Sequence, residues 1–148
     1  MPIIEQLQSY INEHIPIAKA LGFKIDTLSD NKVIAWAPFA ENVNHKMTVF
    51  GGSLHAVATL TCWCLMYQML FDRLVEVEIV IAHSEVDYLQ PVTADFRCEA
   101  VKATLGDWDK FWQILSRKGK ARMILDAQIF QSGQLAVKYQ GVFVVLQR

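Results

Sequence analysis

Residues 49–56, VFGGSLHA, hold the types of group that can bind a carbonyl oxygen while its carbon reacts. The first N–H groups of a helix have no partner inside it, and they lie at the positive end of its dipole. Gly51 and Gly52 lack Cβ atoms, so a ligand carbonyl could approach those N–H groups closely if a helix begins here. One such donor stabilises a developing oxyanion by about 3 kcal/mol, or roughly 10²–10³ in rate. The pattern therefore predicts a polarising site at this junction.

A structural interpretation of the glycine pair stays open beside the chemical one. Gly51 and Gly52 could let the helix start against a crowded sheet, with Ser53 or Thr48 as its N-cap. Ser53 lies about 120° around the helix from Thr59, so these two side chains face different sides of it. Ser53 therefore suits capping better than partnership with Thr59.

His55 is the candidate general base on this helix. It shares a face with Thr59, four residues later, and its ring could be held by a hydroxyl or by a strand carboxylate. A hydrogen-bonded core histidine is the alternative. Asn44, in the preceding loop, could orient a reacting group or a water, or could form an Asx turn. Glu85 and Asp87 could supply a carboxylate, from this chain or a second one, or could be a solvated strand face.

Phosphate binding needs cationic groups, and one stretch of the sequence concentrates them. The net charge is −1, yet SRKGKAR supplies four cations, here called the basic cluster: Arg117, Lys118, Lys120 and Arg122. This cluster could bind phosphate at a groove mouth, and a solvated loop is the alternative. The segment before it could line an apolar pocket or close an open sheet end with three aromatic residues, Trp108, Phe111 and Trp112.

Composition restricts the class of protein. With 148 residues, 53% apolar and 20% charged, the chain is expected to form one domain over residues 1–148. A sequence pI near 6.4 argues against nucleic acid as the main partner, because phosphate-backbone binding needs a surplus of Lys and Arg. The first residues contain no basic segment followed by an apolar one, so we expect no secretory signal and a cytoplasmic location.

The cysteines and one long uncharged run need separate explanations. Cys62, Cys64 and Cys98 have the spacing of neither a disulfide framework nor a metal site, so we expect buried, reduced thiols and no metal. Residues 47–71 contain no acidic or basic side chain except His55, but the glycine pair interrupts the run and polar residues follow it. A helix enclosed in the core is therefore favoured over a membrane span.

Hydrophobic periodicity predicts the elements that position these groups. Helices are expected over residues 3–20, with a break at Pro16, and over residues 52–71. Strands are expected at 22–28, at 33–38, in LVEVEIVIAHSEVDYLQP with a bend near His83, in DFRCEAVKAT, and at 120–130 and 134–146 around a Ser132-Gly133 turn. Residues 105–119 are expected to form a loop with a short helix at 111–116.

A helix that is apolar on all sides, set among antiparallel strands, restricts the architecture. A flat sheet with the helix on one face would predict a charged outer stripe, which residues 47–71 lack. A curved sheet wrapped around the helix would bury it completely. The sequence therefore predicts an α+β fold of the hotdog type, in which a free sheet edge commonly pairs across a dimer.

The segments ENVNHKMTVFGGSLHAVATLTCW and IAHSEVDYLQPVTADF also carry a family resemblance. They are similar to the hotdog thioesterases, and more narrowly to a bacterial subgroup that occurs alone or fused behind a GNAT-type acetyltransferase domain. The matching features are Asn44, Thr48-x-Phe50-Gly51-Gly52-Ser53-Leu54, Trp63 and Tyr88-Leu89-x-Pro91-Val92. The resemblance implies an acyl-CoA or acyl carrier protein substrate bound at the helix N-terminus, a homodimer or a tetramer of dimers, and no cofactor.

The resemblance also shows one departure. Many hotdog thioesterases place Asp or Glu on the central helix two turns after the glycines, and here that position is Thr59. The catalytic residues are therefore expected to be Asn44, Gly52, His55 and Thr59, with substrate bound by Phe50, Gly51, Ser53, Arg117, Lys118 and Lys120. Hydrolysis of an acyl thioester is the first expectation. A non-catalytic acyl-thioester binding module and a hotdog acyl dehydratase are the alternatives.

Overall fold

The computed structural model of the protein describes residues 2–104 and 106–148. Within these residues the elements are α1 (Ile4–His14), α2 (Pro16–Leu21), β1 (Lys24–Ser29), β2 (Lys32–Ala37), α3 (Gly51–Met69), a 3₁₀ helix (Phe71–Glu76), β3 (Val77–Tyr88), β4 (Phe96–Lys102), α4 (Trp108–Lys118), β5 (Lys120–Gln131) and β6 (Gln134–Gln147). The strands form one antiparallel sheet in the order β1-β2-β4-β5-β6-β3. The sheet curves around α3, which is the predicted hotdog fold.

Local sequence explains the breaks between the first elements. α1 ends at His14, and Pro16 is the first residue of α2, where its missing N–H would have no partner in any case. Gly22 then ends α2 in the left-handed conformation with φ of 70°. Both predicted hairpins form, and the β5–β6 turn has φ of 53° at Ser132 and 77° at Gly133, as a type I′ turn requires.

The sheet covers α3 on one side only. Its fully buried residues, such as Val57 and Leu65, belong to the core that the sheet encloses. The less buried side of the helix is here called the α3 stripe: Gly52, His55, Ala56, Thr59, Trp63 and Tyr67. The expectation that the helix is enclosed on all sides is therefore wrong for a single chain. The helices α1 and α2 cover parts of the stripe, for example where Tyr10 stacks on Trp63.

Strand β3 starts later than predicted and contains a β-bulge. The 3₁₀ helix occupies residues 71–76, so the strand begins at Val77. Between Ile81 and His83 the pairing with β6 shifts by one residue, which leaves Ala82 without a partner in the β3–β6 register. The bulge is the predicted bend, and it inverts the alternation of the strand, so that Ser84 faces inward after it.

A full helix occupies residues 108–118, where a loop with a short helix was predicted. Asp107 caps α4 by accepting a hydrogen bond from the Lys110 N–H at 3.2 Å, and Gly119 ends it at φ of 70°. Phe111 is buried in the core, where α4 packs on β5. Phe111, one of the three aromatic residues of this segment, therefore has a structural role. The predicted first loop residue, Leu105, lies outside the described residues.

The cysteines are buried free thiols. Burial raises the pKa of Cys98 to about 12 and also raises the pKa of Cys62 and Cys64. A neutral thiol is a poor nucleophile and a poor metal ligand. Among the residues that the structure describes, no group of three His, Cys, Asp or Glu side chains could hold a metal ion. None of the helices in residues 2–104 and 106–148 is long and apolar enough to cross a membrane.

Candidate active site at the start of the central helix

Two backbone N–H groups at the start of α3, those of Gly51 and Gly52, have no hydrogen-bond partner within the described part of the chain. Phe50 precedes them as the N-cap residue. Its carbonyl oxygen accepts from the next two N–H groups, those of Ser53 at 2.9 Å and Leu54 at 3.2 Å. The two free donors lie at the positive end of a 19-residue helix, which is where an oxyanion would be stabilised.

Asn44 organises the loop that leads into α3. Its side-chain oxygen accepts from the N–H groups of Lys46 at 2.9 Å and Thr48 at 3.2 Å, and its amide donates to Thr48 Oγ1 at 3.0 Å. This is the Asx turn that the sequence left open, and it uses both polar ends of Asn44 inside the loop. No described side chain caps α3, so the expectation of Ser53 or Thr48 as its N-cap is wrong.

Aromatic rings flank the glycine pair. A Cβ atom on Gly52 would overlap the Phe50 ring, whereas a Cβ atom on Gly51 would lie 3.5 Å from the Tyr88 ring, an ordinary contact. The Tyr88 hydroxyl also donates to the Gly51 carbonyl oxygen at 3.1 Å. A side chain at position 52 would therefore have to displace the exposed Phe50 ring, whereas position 51 has room for a small side chain.

His55 lies one turn into the helix and is held by a hydroxyl. Its Nε2 and the Ser84 Oγ are 3.0 Å apart, and the ring is only half-buried. Nδ1 makes no hydrogen bond with the described residues, so one ring nitrogen is anchored and the other is free. His55 is therefore not a core histidine with both ring nitrogens satisfied by the described residues, and its catalytic role stays a prediction.

Thr59 and Tyr139 form the next polar pair. The two hydroxyls are 2.9 Å apart, and the Tyr139 side chain is buried, with 1% of its surface exposed. Burial raises the pKa of Tyr139 to about 12, against smaller opposing effects of hydrogen bonding by Thr59 and Ser84. Sequence reasoning missed Tyr139, because alternation along β6 indicates burial but does not show which residue, 80 positions away, its hydroxyl meets.

The helix geometry ranks His55 and Thr59 differently. With a rise of 1.5 Å per residue, His55 lies about 4.5 Å along the axis from Gly52, and Thr59 lies about 10 Å from it. A carbonyl on the free N–H groups is therefore within reach of a water on His55 of the same chain. Thr59 is better placed to contact the substrate farther along the stripe.

An open cavity of about 360 Å³ lies over this part of the α3 stripe. It is lined by Ile17, Gly52, His55, Ala56, Thr59 and Leu60. The lining contains no acidic side chain. It consists of apolar residues and two polar side chains, those of His55 and Thr59. A second hollow of about 300 Å³, beside Gly51 and Tyr88, approaches the same helix start from its other flank.

The strand carboxylates point away from this cavity in the single chain. The bulge in β3 leaves Glu85 and Asp87 exposed, and Glu85 Oε1 pairs with His83 Nε2 at 3.2 Å. Their side chains therefore belong to the outward face of an edge strand. A carboxylate from this pair could serve the site of another copy, but it does not serve its own.

The basic cluster lies at the other end of the sheet from the glycine pair. Lys120 pairs with Leu146, which pairs with Glu78 at the start of β3. Gly51 instead contacts Tyr88, at the end of that strand. The ten paired positions of β3 between these ends correspond to about 30 Å at 3.3 Å per residue. One chain therefore does not bring Arg117, Lys118 and Lys120 to its own helix start.

Solved structures share this fold over nearly their whole length. A protein of unknown function from Chlorobaculum tepidum TLS is 27% identical, with a TM-score of 0.90 over 97% of this chain and 94% of that one. A putative thioesterase from Shewanella oneidensis is 25% identical, with a TM-score of 0.80 over 97% and 96%. A Haemophilus influenzae thioesterase, 15% identical with a TM-score of 0.79 over 99% and 92%, supports the fold alone.

The sequence itself also matches a family model from end to end. The match extends over residues 4–147, so it includes the glycine pair, the α3 stripe and both strands that hold Ser84 and Tyr139. The chain therefore belongs to the family described as putative thioesterase (yiiD_Cterm).

Proposed function

We propose that the protein hydrolyses an acyl thioester, of coenzyme A or of an acyl carrier protein, at the start of α3. The observation that carries this proposal is the pair of free N–H groups of Gly51 and Gly52 at the positive end of the helix, with the half-anchored His55 one turn away. Donors for an oxyanion and a base for water are the two requirements of acyl transfer to water.

The proposed reaction uses water as the nucleophile, because the helix lacks a carboxylate. The water oxygen bonds to the thioester carbon, His55 Nδ1 takes the water proton, and the N–H groups of Gly51 and Gly52 hold the oxyanion. The C–S bond then breaks, and the thiolate takes the proton back from His55. The products are a carboxylic acid and a thiol. In this scheme Asn44 shapes the loop, while Phe50 and Thr59 contact the substrate. Ser53, buried beside the glycines, supports the helix start.

A second copy of the chain is the proposed cover of the α3 stripe. Strand β3 is a sheet edge whose outer residues include Val80, 43% exposed, and Ile81, 44% exposed. An apolar edge strand beside an uncovered, uncharged helix face favours association through both. We therefore propose a homodimer with antiparallel β3 edges, from which a tetramer of dimers could be built.

This dimer would also bring the basic cluster to the site. With the twofold axis near the middle of β3, the first residues of one β3 face Tyr88 of the other copy. Lys120 lies two strands inward from Glu78, so the partner's cluster would approach to about 15 Å, at 4.8 Å per strand. That position suits the phosphates of a coenzyme A whose thioester lies at Gly52.

Light scattering should show a dimer or a tetramer for the wild-type protein, and Ile81→Lys should give monomers with little activity. The lysine places a charge in the proposed β3 contact, where like charges from two copies would meet. Phe130→Lys is the matched control, since Phe130 is 50% exposed but lies on β5, away from β3. This control should remain at least dimeric. A monomeric wild type, or a dimeric Ile81→Lys, would contradict the interface.

The activity itself is tested with acyl-CoAs of increasing chain length, each compared with the same acyl group on N-acetylcysteamine. Thiol release should follow enzyme concentration, and KM should be lower for the coenzyme A esters because they carry phosphates for the basic cluster. Equal KM values for the two carriers would remove the basic cluster from substrate binding. No turnover on any ester, together with measurable binding of coenzyme A, would overturn hydrolysis.

The missing carboxylate supports one alternative, a non-catalytic acyl-thioester binding module. In the described cavity the only titratable side chain is His55, so this alternative depends on His55 having no catalytic role. An acyl dehydratase is less favoured, because that chemistry pairs a loop histidine with a helix carboxylate.

Two further expectations stay predictions. A cytoplasmic location is tested by cell fractionation, and membership in the subgroup that also occurs fused to acetyltransferases is tested by the domain composition of close relatives.

A further inference from the structure

Four polar side chains lie behind the cavity in two hydrogen-bonded pairs, one at His55 and one at Thr59. His55 Nε2 lies 3.0 Å from Ser84 Oγ, and Thr59 Oγ1 lies 2.9 Å from the Tyr139 hydroxyl. The His55 and Tyr139 rings are adjacent, with centroids 5.6 Å apart. Ser84 and Tyr139 come from β3 and β6, which pair with each other. Neither residue is needed to build the oxyanion site, so their positions call for a separate explanation.

The fold places Ser84 here by the bulge at Ala82. Without the extra residue, the alternation that turns Val77 and Ile79 inward would turn His83 inward and Ser84 outward. Bulges of this kind recur beside active sites, where they redirect a side chain. The strand therefore breaks its regular pairing at the point that gives His55 a hydroxyl partner.

Gly141 makes room for the Tyr139 hydroxyl beside Ser84. Ser84 is paired with Gly141, and Tyr139 is the diagonal neighbour two residues away on the same strand. A Cβ atom on Gly141 would lie 2.9 Å from the Tyr139 hydroxyl oxygen, which is closer than real Cβ contacts. The Tyr139 phenol thus lies against Gly141, the residue directly opposite Ser84, and a residue with a Cβ atom at position 141 would overlap it.

We infer that Ser84 and Tyr139 are positioning residues, which hold His55 as the Nε2–H tautomer and orient the Thr59 hydroxyl toward the substrate. The two observed pairs are His55 with Ser84 and Tyr139 with Thr59, and in the order that we infer His55 Nε2–H donates to Ser84 and Tyr139 donates to Thr59. The inferred link between the pairs is the Ser84 hydroxyl, which donates to the neighbouring Tyr139 oxygen. Each hydroxyl then accepts one hydrogen bond and donates one. The unprotonated Nδ1 is left for water, and the Thr59 hydrogen is left for the substrate. His55, held in this way, takes the place of the missing helix carboxylate as the group that activates water.

The inference rests on the proposed hydrolysis for its purpose, but its geometry can be measured without turnover. Imidazole ¹⁵N shifts distinguish the two neutral tautomers, and a His55→Gln variant assigns the His55 signals among the four histidines. The wild-type protein should show the Nε2–H tautomer. Ser84→Ala should give a mixture of tautomers, and Ser84→Thr should restore the single one. An Nδ1–H tautomer in the wild type, or an unchanged tautomer in Ser84→Ala, would overturn the inference.

Kinetics provide the second readout. Ser84→Ala and Tyr139→Phe should each lower kcat about 10- to 100-fold, a part of the 10²–10⁴ that a general base supplies, with KM nearly unchanged. Ser84→Thr should recover most of the loss, and Ser116→Ala, an exposed serine on α4, should behave as wild type. Equal kcat in Ser84→Ala and wild type would remove the positioning role. If the protein hydrolyses nothing but shows the expected tautomers, the proposed function fails while the hydrogen-bonded order stands.

Discussion

Replacing Gly52 with valine should lower kcat/KM for thioester hydrolysis by at least about 100-fold, the contribution of one oxyanion donor. The new side chain keeps the N–H group but places atoms where the substrate carbonyl must approach. It also needs the space that the Phe50 ring occupies. The loss should be mainly in kcat, because the donors stabilise the transition state more than the bound ester. Initial rates of thiol release, with circular dichroism to confirm folding, measure this effect.

Two controls separate blocked approach from local crowding. In the double variant Phe50→Ala with Gly52→Val, the overlap with the ring is removed, yet valine still covers the N–H groups, so activity should stay low. Gly51→Ala should fold normally, because its Cβ atom makes only an ordinary contact with Tyr88. Full activity in a folded Gly52→Val protein, or its recovery in the double variant, would rule out the oxyanion site at Gly52.

His55→Ala should lower kcat by about 10²–10⁴, the usual contribution of a positioned general base. In the wild type, activity should fall toward acidic pH, since a protonated imidazole cannot take a proton from water. The variant should lose this acidic decline along with most of its rate. Its fold should survive, because the ring is half-buried and its side chain makes one hydrogen bond with the described residues, to Ser84. The pH profile of kcat/KM is the measurement.

Exposed histidines provide the matched controls for this substitution. His45, in the loop before α3, and His83, on the outer face of β3, should both be replaceable by alanine with little change in rate. A His55→Ala protein that keeps wild-type kcat and the acidic decline would transfer the role of base to another group. The next candidate for the general base would then be a carboxylate on the partner's β3, from either the partner's Glu85 or the partner's Asp87.

Much of the fold could be predicted because short-range signals agreed with tertiary packing. Alternation of apolar residues predicted the strands β4, β5 and β6 to within a few residues, and Ser132-Gly133 predicted the turn between the last two. The uncharged run predicted a core helix, and the absence of a polar face on it predicted a curved sheet. Prediction was weaker at α4, where a short helix was expected and a full one forms. The start of that helix depends on one side chain, the N-cap Asp107, which is a weak signal in the sequence.

The site was only partly predictable. The glycine pair could be recognised, since glycines at a helix start have a local physical meaning. The partner of His55 could be anticipated as a hydroxyl or a strand carboxylate, but not as Ser84. The predicted bend near His83 did not show which residue would be left unpaired, and hence which side chain would turn inward. The role of Asn44 changed for a similar reason: an amide suits either an Asx turn or a water, and only the loop geometry shows which.

The sequence by itself determined the hotdog fold, the helix start near the glycine pair, and the lack of a helix carboxylate, because each depends on residue type and spacing along the chain. The tertiary structure alone decided which side chains from distant parts of the chain lie next to one another. It joined Thr59 to Tyr139, turned Ser84 toward His55, left one side of α3 uncovered, and separated the basic cluster from the glycine pair. Those outcomes depend on strand register and sheet curvature, which are set by the packing of residues far apart in the chain.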